Sequence, residues 1–452
     1  MKTLNIEKEI RKNKNKYVKT LKKFVQQPSI SADGTGIEGM VKILTEEMNK
    51  IGISTRLLKS STGGNPVILG TLNKNSGYNL LVYGHYDVHS VGDLNDWDYE
   101  PFSAEIIGNK IIGRGTADNK GNFLSWIKAV EILKDLGIDI PFNIIFFFEG
   151  EEEIGSPNLE NIIRENEKYI PKLDAKIVFE PRQDSQGHPF INLGWKGMLS
   201  LKVIFKNKGG QIHASYGSIV SHPIFEMVKA INKIYDGNMI LLPDFYNDII
   251  SVSGEEEKCI EKIGLCKKGI VKGLGGESIK QIDLSDKEII KILLLEPSMT
   301  ISAVSAGSVI PPVRSVVLGS ASFLIEFRLV PNQNSKNIYQ KLVKYLNELN
   351  LNCKVEVELL SNSEPTRTSV RDPFVEKIRK ACNSTFNCEC YVYPNLQGTS
   401  PDHLFKKLYQ IPSLGCGCGF HHLCHRPNEY ITVEQYMKGI ELATKIILEL
   451  SN

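Results

Sequence analysis

A chain of 452 residues, 41% hydrophobic and 23% charged, has the balance of a soluble globular protein and the length of two or three domains. Its net charge of +2 gives no electrostatic reason to expect nucleic acid or a membrane as a partner. The longest strongly apolar run, residues 144–148, is far short of the ~20 residues that span a bilayer, and the basic N-terminal segment lacks the apolar stretch of a secretory signal.

Along the chain, Asn79-Leu-Leu-Val-Tyr-Gly84 predicts a short strand. Phe123, Ile127, Val130 and Lys134 follow at helical spacing, and Gly137 closes that helix. Phe142-Asn-Ile-Ile-Phe-Phe-Phe148 has the continuous apolar character of a central strand buried on both faces, and Ala175-Lys-Ile-Val-Phe179 reads the same way. This order predicts an α/β unit with a mixed or parallel sheet and helices on both faces. After about Gly194 the texture changes. A strand at 199–205, a helix from about Pro223, a polar segment around Glu255-Glu-Glu-Lys258, a strand at 321–330, a helix at 335–349 and an edge-like strand at 353–359 read as a separate α+β unit. From about Arg371 helices and short strands alternate again, and Thr432-Val-Glu-Gln435 opens the last helix with a capping-box pattern. Gly273-Leu-Gly-Gly276 lacks the Lys-Ser/Thr of a phosphate loop. The nine cysteines, an odd number, fit reduced thiols in the cytoplasm. Cys388/Cys390 and Cys416/Cys418 lack the C-x-x-C spacing of common metal sites and read as small buried residues.

Each apolar run of the first unit leads into possible metal ligands: His85 and Asp87, the cluster Glu149–Glu153, and Glu180. Sites in open α/β sheets form outside the carboxyl ends of strands, so these strand ends would deliver their ligands to one place. In Gly84-His-Tyr-Asp-Val-His89, His85 and Asp87 share one face of extended chain, and the carboxylate can hold the imidazole; alone, the pair also reads as an ordinary satisfied histidine. Asp118, in Gly113-Arg-Gly-Thr-Ala-Asp-Asn-Lys-Gly121, reads equally as a helix cap. Glu149-Gly-Glu-Glu-Glu-Ile-Gly-Ser156 is the sharpest signal, because four carboxylates after a buried strand repel one another unless a cation neutralises them. His421-His-Leu-Cys-His-Arg-Pro-Asn-Glu429 concentrates histidine in a chain with nine in total. Neither H-E-x-x-H nor G-x-S-x-G occurs, which argues against the common zincin and serine-hydrolase solutions.

In this order the five segments resemble the zinc metallopeptidase family that includes carnosine dipeptidase, aminoacylase, glutamate carboxypeptidase and succinyl-diaminopimelate desuccinylase. The resemblance covers nearly the whole chain. It is closest to the carnosine-dipeptidase branch from Gly84 through Trp97, Pro101-Phe102, Gly113-Arg-Gly115 and Asp118 to Gly155-Ser156, and again at Val309-Ile-Pro311 and Phe327-Arg-Leu-Val-Pro-Asn332. It implies two zinc ions, for which manganese or cobalt can substitute. His85 would bind one, oriented by Asp87; Asp118 would bridge both, followed by a cis peptide bond. Glu153 and His425 would bind the second, Glu180 the first, and Glu152 would be the general base. His213, in Gln211-Ile-His-Ala-Ser215, matches a histidine that enters the partner subunit's site. Arg328 matches a residue that binds the substrate carboxylate, and Thr399 and Ser400 lie in a loop that contacts the same group. Two positions depart from the pattern. Glu180 stands where the dipeptidases usually have Asp, and Gln211 stands where Asp is common.

The expectation is therefore an α/β, mixed-sheet di-zinc hydrolase domain (1–195 and 364–452) with an inserted α+β lid and dimerisation domain (196–363). It would act as a cytoplasmic homodimer on small peptides. Deacylation or desuccinylation of N-acyl amino acids is the alternative, and a non-catalytic metal-binding scaffold the remaining one.

Overall fold

The Asn143–Glu149 strand is buried along its whole length, and its side chains feed two separate cores. Ile144, Phe146 and Phe148 pack on one face of the sheet; Ile145 and Phe147 pack on the other. Leu80 and Val82 alternate in the same way with Leu81 and Tyr83 in the neighbouring Asn79–His85 strand. A strand with no polar face has to be covered on both sides, and the continuous apolar runs are the direct cause of the layered architecture. The structure, a computed structural model, describes residues 2–273, 283–310 and 314–451. Pro311 and residues 274–276 of the glycine-rich stretch lie outside these.

The main sheet has eight strands in the order Ser54–Leu58, Val67–Leu72, Asn143–Glu149, Asn79–His85, Ala175–Phe179, Ser413–Cys416, Phe190–Asn192 and Tyr391–Tyr393. Its four central strands, from Asn143–Glu149 to Ser413–Cys416, are parallel, and antiparallel pairings flank them, so the sheet is mixed, as expected. One face is covered by the helices Lys2–Val25, Ile37–Lys50, Asn122–Asp135, Pro373–Phe386 and Val433–Leu450. The basic N-terminal segment, left without a secondary-structure assignment in the sequence reading, is the first of these and buries Tyr17, Leu21 and Phe24. Asn122–Asp135 is enclosed nearly all round, and its buried Lys128 is neutralised by Glu47 at 2.5 Å and Glu131 at 2.7 Å.

A second sheet joins Ser298–Ser305, Ser320–Leu329, Gly197–Lys206 and Lys354–Ser363, all antiparallel. Alternate residues Ala321, Phe323, Ile325 and Phe327 meet Leu201 and Val203 and the helices Pro223–Ile234 and Ser335–Glu348. Helices Gly254–Lys262 and Asp286–Leu295 instead place Ile260, Ile290 and Leu294 in the core beneath the main sheet, together with Leu159–Glu165 and Asp402–Tyr409. Where the chain passes between the two sheets, Gly194–Trp195 pairs with Thr366–Arg367. Among the described residues no helix is long and apolar enough to cross a membrane.

Because Phe146 is fully enclosed, Phe146→Ala should cost about 3–5 kcal/mol of stability, the transfer and cavity terms together. Urea unfolding of the variant against the parent measures this.

Candidate metal centre

The Asn79–His85 strand ends on His85, and the side chain is buried. Its Nδ1 lies 3.1 Å from the carbonyl oxygen of Asp87 and 3.5 Å from that residue's Oδ1, and its Nε2 lies 3.1 Å from Asp118 Oδ1. The Asp87 carboxylate, wholly buried, also accepts the backbone N–H groups of Glu152 at 3.3 Å and Glu153 at 3.0 Å. One carboxylate thus fixes both the first histidine and the turn that carries two glutamates. That turn follows the Asn143–Glu149 strand, so adjacent parallel strands supply both halves.

Asp118 sits in an irregular turn, with φ −114° and ψ 88°, immediately before the Asn122–Asp135 helix. The Asp118–Asn119 peptide bond is cis, as the resemblance implies. Its second oxygen lies 3.5 Å from His425 Nε2, and Glu153 Oε2 approaches the same nitrogen at 2.8 Å. His425 has a positive φ of 65°, and its ring stacks on His89 with centroids 4.7 Å apart. Ligand atoms of His85, Asp118 and Glu153 converge within 4.8 Å.

Electrostatics follow from this crowding. Burial disfavours the charged form of Asp118, but hydrogen bonds from His425 and His85 outweigh it and hold the carboxyl well below its usual range. The same bond from Asp118, reinforced by Glu153, raises His425 to about 10. Burial pushes Glu152 well above the carboxylate range; His85 opposes this, while Glu180, Glu153 and Asp118 add to it. Glu153 Oε1 is buried and has no hydrogen-bond partner among the described residues. A buried carboxylate oxygen without a donor, facing histidines and further carboxylates, fits a divalent cation.

The acidic run does not act as one cluster. Glu149 accepts from the Tyr83 hydroxyl at 2.6 Å and is raised to about 7 by burial. Glu151 accepts from the Asn65 amide and from Asn158 Nδ2, both at 2.9 Å. Glu152 and Glu153 are left facing the histidines. Glu180 ends the Ala175–Phe179 strand with its Oε2 held by Arg182 at 2.9 Å, near enough to Glu152 to act on its charge.

Sequence reasoning missed the arginine–glutamate knot behind the cluster. Glu429, wholly buried, accepts from Gly115 N at 3.1 Å, from Ala117 N and Asp118 N at 3.0 Å, and from Arg114 at 2.9 Å. Arg114 also donates to the carbonyl of His425 at 3.2 Å. The loops that present Asp118 and His425 are therefore joined through one buried ion pair. Both members lie inside segments singled out above, but nothing in their spacing couples them.

The remaining candidates stand apart from this cluster. His213 is exposed, paired with Val316 in a short ladder, and its Nδ1 bonds Ser215 Oγ at 2.9 Å. Arg328 pairs with Glu326 at 2.7 Å on the face of its strand turned away from the core of the second sheet. Ser400 Oγ accepts from Asp402 N at 3.3 Å, and the loop carrying Thr399 is tied through the Gly398 carbonyl to Lys196 N at 3.1 Å.

Residues 81–449 match the sequence profile of peptidase family M20/M25/M40. Over 96% of this chain and 99% of its own, the structure of a metallo-carboxypeptidase, Sso-CP2 of Sulfolobus solfataricus, superposes with a TM-score of 0.87 at 31% identity. The Cys-Gly metallodipeptidase DUG1 of Candida albicans is 26% identical over 398 residues, 82% of this chain and 81% of that one. The human Beta-Ala-His dipeptidase is 25% identical over 404 residues, 85% and 78% of the two chains. The chain belongs to peptidase family M20/M25/M40. It is a metal-dependent hydrolase of peptide bonds.

Glu429→Ala strands Arg114 without its anion and removes the acceptor of three backbone N–H groups. It should cost about 3–5 kcal/mol of stability and lower the metal content of the purified protein. Chemical unfolding and elemental analysis read the two effects separately.

Proposed function

We propose that the protein is a metallo-exopeptidase of dipeptidase or carboxypeptidase type that cleaves the amide bond of small peptides, with Glu152 as general base. The observation that carries this reading is the convergence of ligand atoms of His85, Asp118 and Glu153 within 4.8 Å, with one buried oxygen of Glu153 lacking a hydrogen-bond partner among the described residues. In this proposal His85, Asp118 and Glu180 would hold one zinc ion, and Asp118, Glu153 and His425 the other. Bound there, such ions would supply an activated water and polarise the scissile carbonyl. Glu152 takes the proton of the attacking water and passes it to the leaving amine nitrogen, a task suited to a carboxyl raised above its ordinary range. Asp87 keeps His85 oriented and the Glu152–Glu153 turn in place. Arg328 exchanges Glu326 for the substrate's free carboxylate, with Thr399 and Ser400 beside it. His213 donates to the oxyanion from a partner subunit, a reading supported by its exposure and by the exposed Val304 on the edge strand Ser298–Ser305.

The division into a catalytic domain, 1–195 with 364–452, and a lid and dimerisation domain, 196–363, belongs to the same proposal. So does residence in the cytoplasm, on the strength of nine unpaired cysteines.

Glu152→Gln should keep fold and metal content while reducing turnover of a dipeptide by roughly 10²–10⁴-fold, the range for loss of general acid–base catalysis. Near-normal turnover would remove Glu152 as the base.

The substrate requirement is tested with a dipeptide, its C-terminal amide and its N-acetylated form. Amidation should cost about 2–5 kcal/mol of transition-state stabilisation, as for breaking a desolvated charge pair; acetylation should cost much less. Equal cleavage of acid and amide would leave Arg328 as the structural partner of Glu326. Failure of the acetylated form alone would make the protein an amine-recognising dipeptidase.

A further inference from the structure

The peptidase reading uses none of the nine cysteines. The structure sorts them in a way their spacing does not suggest. Cys390 is matched not with Cys388 but with Cys382, whose S–H donates to the Cys390 sulfur at 2.9 Å. Cys382 lies in the Pro373–Phe386 helix, and Cys390 directly precedes the edge strand Tyr391–Tyr393 of the main sheet. Both thiols are buried, at 1% and 2% exposure. Their backbones are locked in place: Cys390 N–H donates to the side-chain oxygen of Asn383, the residue after Cys382, at 2.7 Å. Cys388, the other half of the C-x-C pair, is only partly buried.

We propose that Cys382 and Cys390 form a peroxide-reactive dithiol that closes to a disulfide and staples the helix to the sheet edge. A disulfide needs its sulfurs at about 2.05 Å, so the pair has roughly 1 Å left to close. The Cys382 S–H points at the Cys390 sulfur, so Cys390 is assigned as the member that takes up the oxygen and Cys382 as the one that closes on it. The proton of the Cys390 thiol points to the Tyr391 carbonyl at 3.6 Å. Burial raises the Cys382 thiol, so it is protonated before the reaction and gives up that proton as it closes on Cys390. Enclosure admits a small neutral oxidant, hydrogen peroxide, rather than a bulky disulfide.

In the first step the Cys390 sulfur attacks one peroxide oxygen and the O–O bond breaks. The other oxygen leaves as hydroxide, takes the Cys390 proton and becomes water. Cys390 is now a sulfenic acid. In the second step the Cys382 sulfur attacks the Cys390 sulfur, the S–O bond breaks, and the departing hydroxide takes the Cys382 proton as a second water. Two thiols have been oxidised by two electrons in all, and one peroxide has been reduced to two waters.

The test exposes the folded, pre-reduced protein to hydrogen peroxide, then denatures, alkylates and digests it for mass spectrometry. The expected product has lost two of its nine thiols, contains a Cys382–Cys390 cross-linked peptide, returns to nine with dithiothreitol, and melts at higher temperature. Cys382→Ser should stop at the sulfenic acid, trapped on Cys390 by dimedone present as the protein is denatured, whereas Cys416→Ser should close like the parent. Nine intact thiols, a cross-link through Cys388 or Cys416 instead, or no dimedone adduct on Cys390 in Cys382→Ser would overturn the proposal.

Discussion

Anionic side chains crowded at one end of a sheet set the terms for everything around them. Asp118, Glu152, Glu153 and Glu180 are brought together where the central strands end, on chain that leaves a dry core. Unbalanced, such charge is costly to bury. The surrounding chain supplies counter-charge and donors at each point: His85 and His425 on Asp118, Arg182 on Glu180, and backbone N–H groups on Asp87. Behind them Arg114 and Glu429 bind the two loops that close the cluster. One buried oxygen of Glu153, a member of the converging set, is left without a hydrogen-bond partner among the described residues.

The second sheet bears on this site through geometry. Its two connections to the main sheet run side by side as Gly194–Trp195 and Thr366–Arg367, and Lys196 beside them ties the 398–400 loop to the crossover. Arg328 and His213 both lie in the stretch of chain between these two crossover strands, and both hold local partners, Glu326 and Ser215. Arg328 and Glu326 are both partly exposed, so any second carboxylate that met Arg328 would compete with an ion pair already made within its strand.

Much of this was legible in the sequence, for a physical reason. Strands buried on both faces must be continuously apolar, and they end abruptly where polar function begins, so both the sheet and the positions of His85, Glu152, Glu153 and Glu180 could be read. The roles of these residues came from resemblance to a family. The helices Lys2–Val25 and Gly254–Lys262 were not read, because their apolar residues are thinly spread among charged ones, and Asp286–Leu295 was not read because its short, nearly continuous apolar run has no helical period. Nor was the division of the acidic run foreseen: Glu149 and Glu151 are satisfied by Tyr83, Asn65 and Asn158, partners from 7 to 86 residues distant. Pairing of Arg114 with Glu429 spans 315 residues and has no periodic signature.

The Val433–Leu450 helix buries Tyr436, Ile440 and Ile447 in the same core as Tyr17 and Trp126. During translation that core stays open on one side until this helix has left the ribosome, although the strands it covers were made hundreds of residues earlier. Glu429 follows Asp118 by 311 residues, so the loop of Asp118 is without its anchor until that distant segment has been made. Until then the nascent chain carries an exposed apolar sheet face and an unassembled cluster of carboxylates and histidines. Apolar surface exposed in this way is where aggregation of a nascent chain begins.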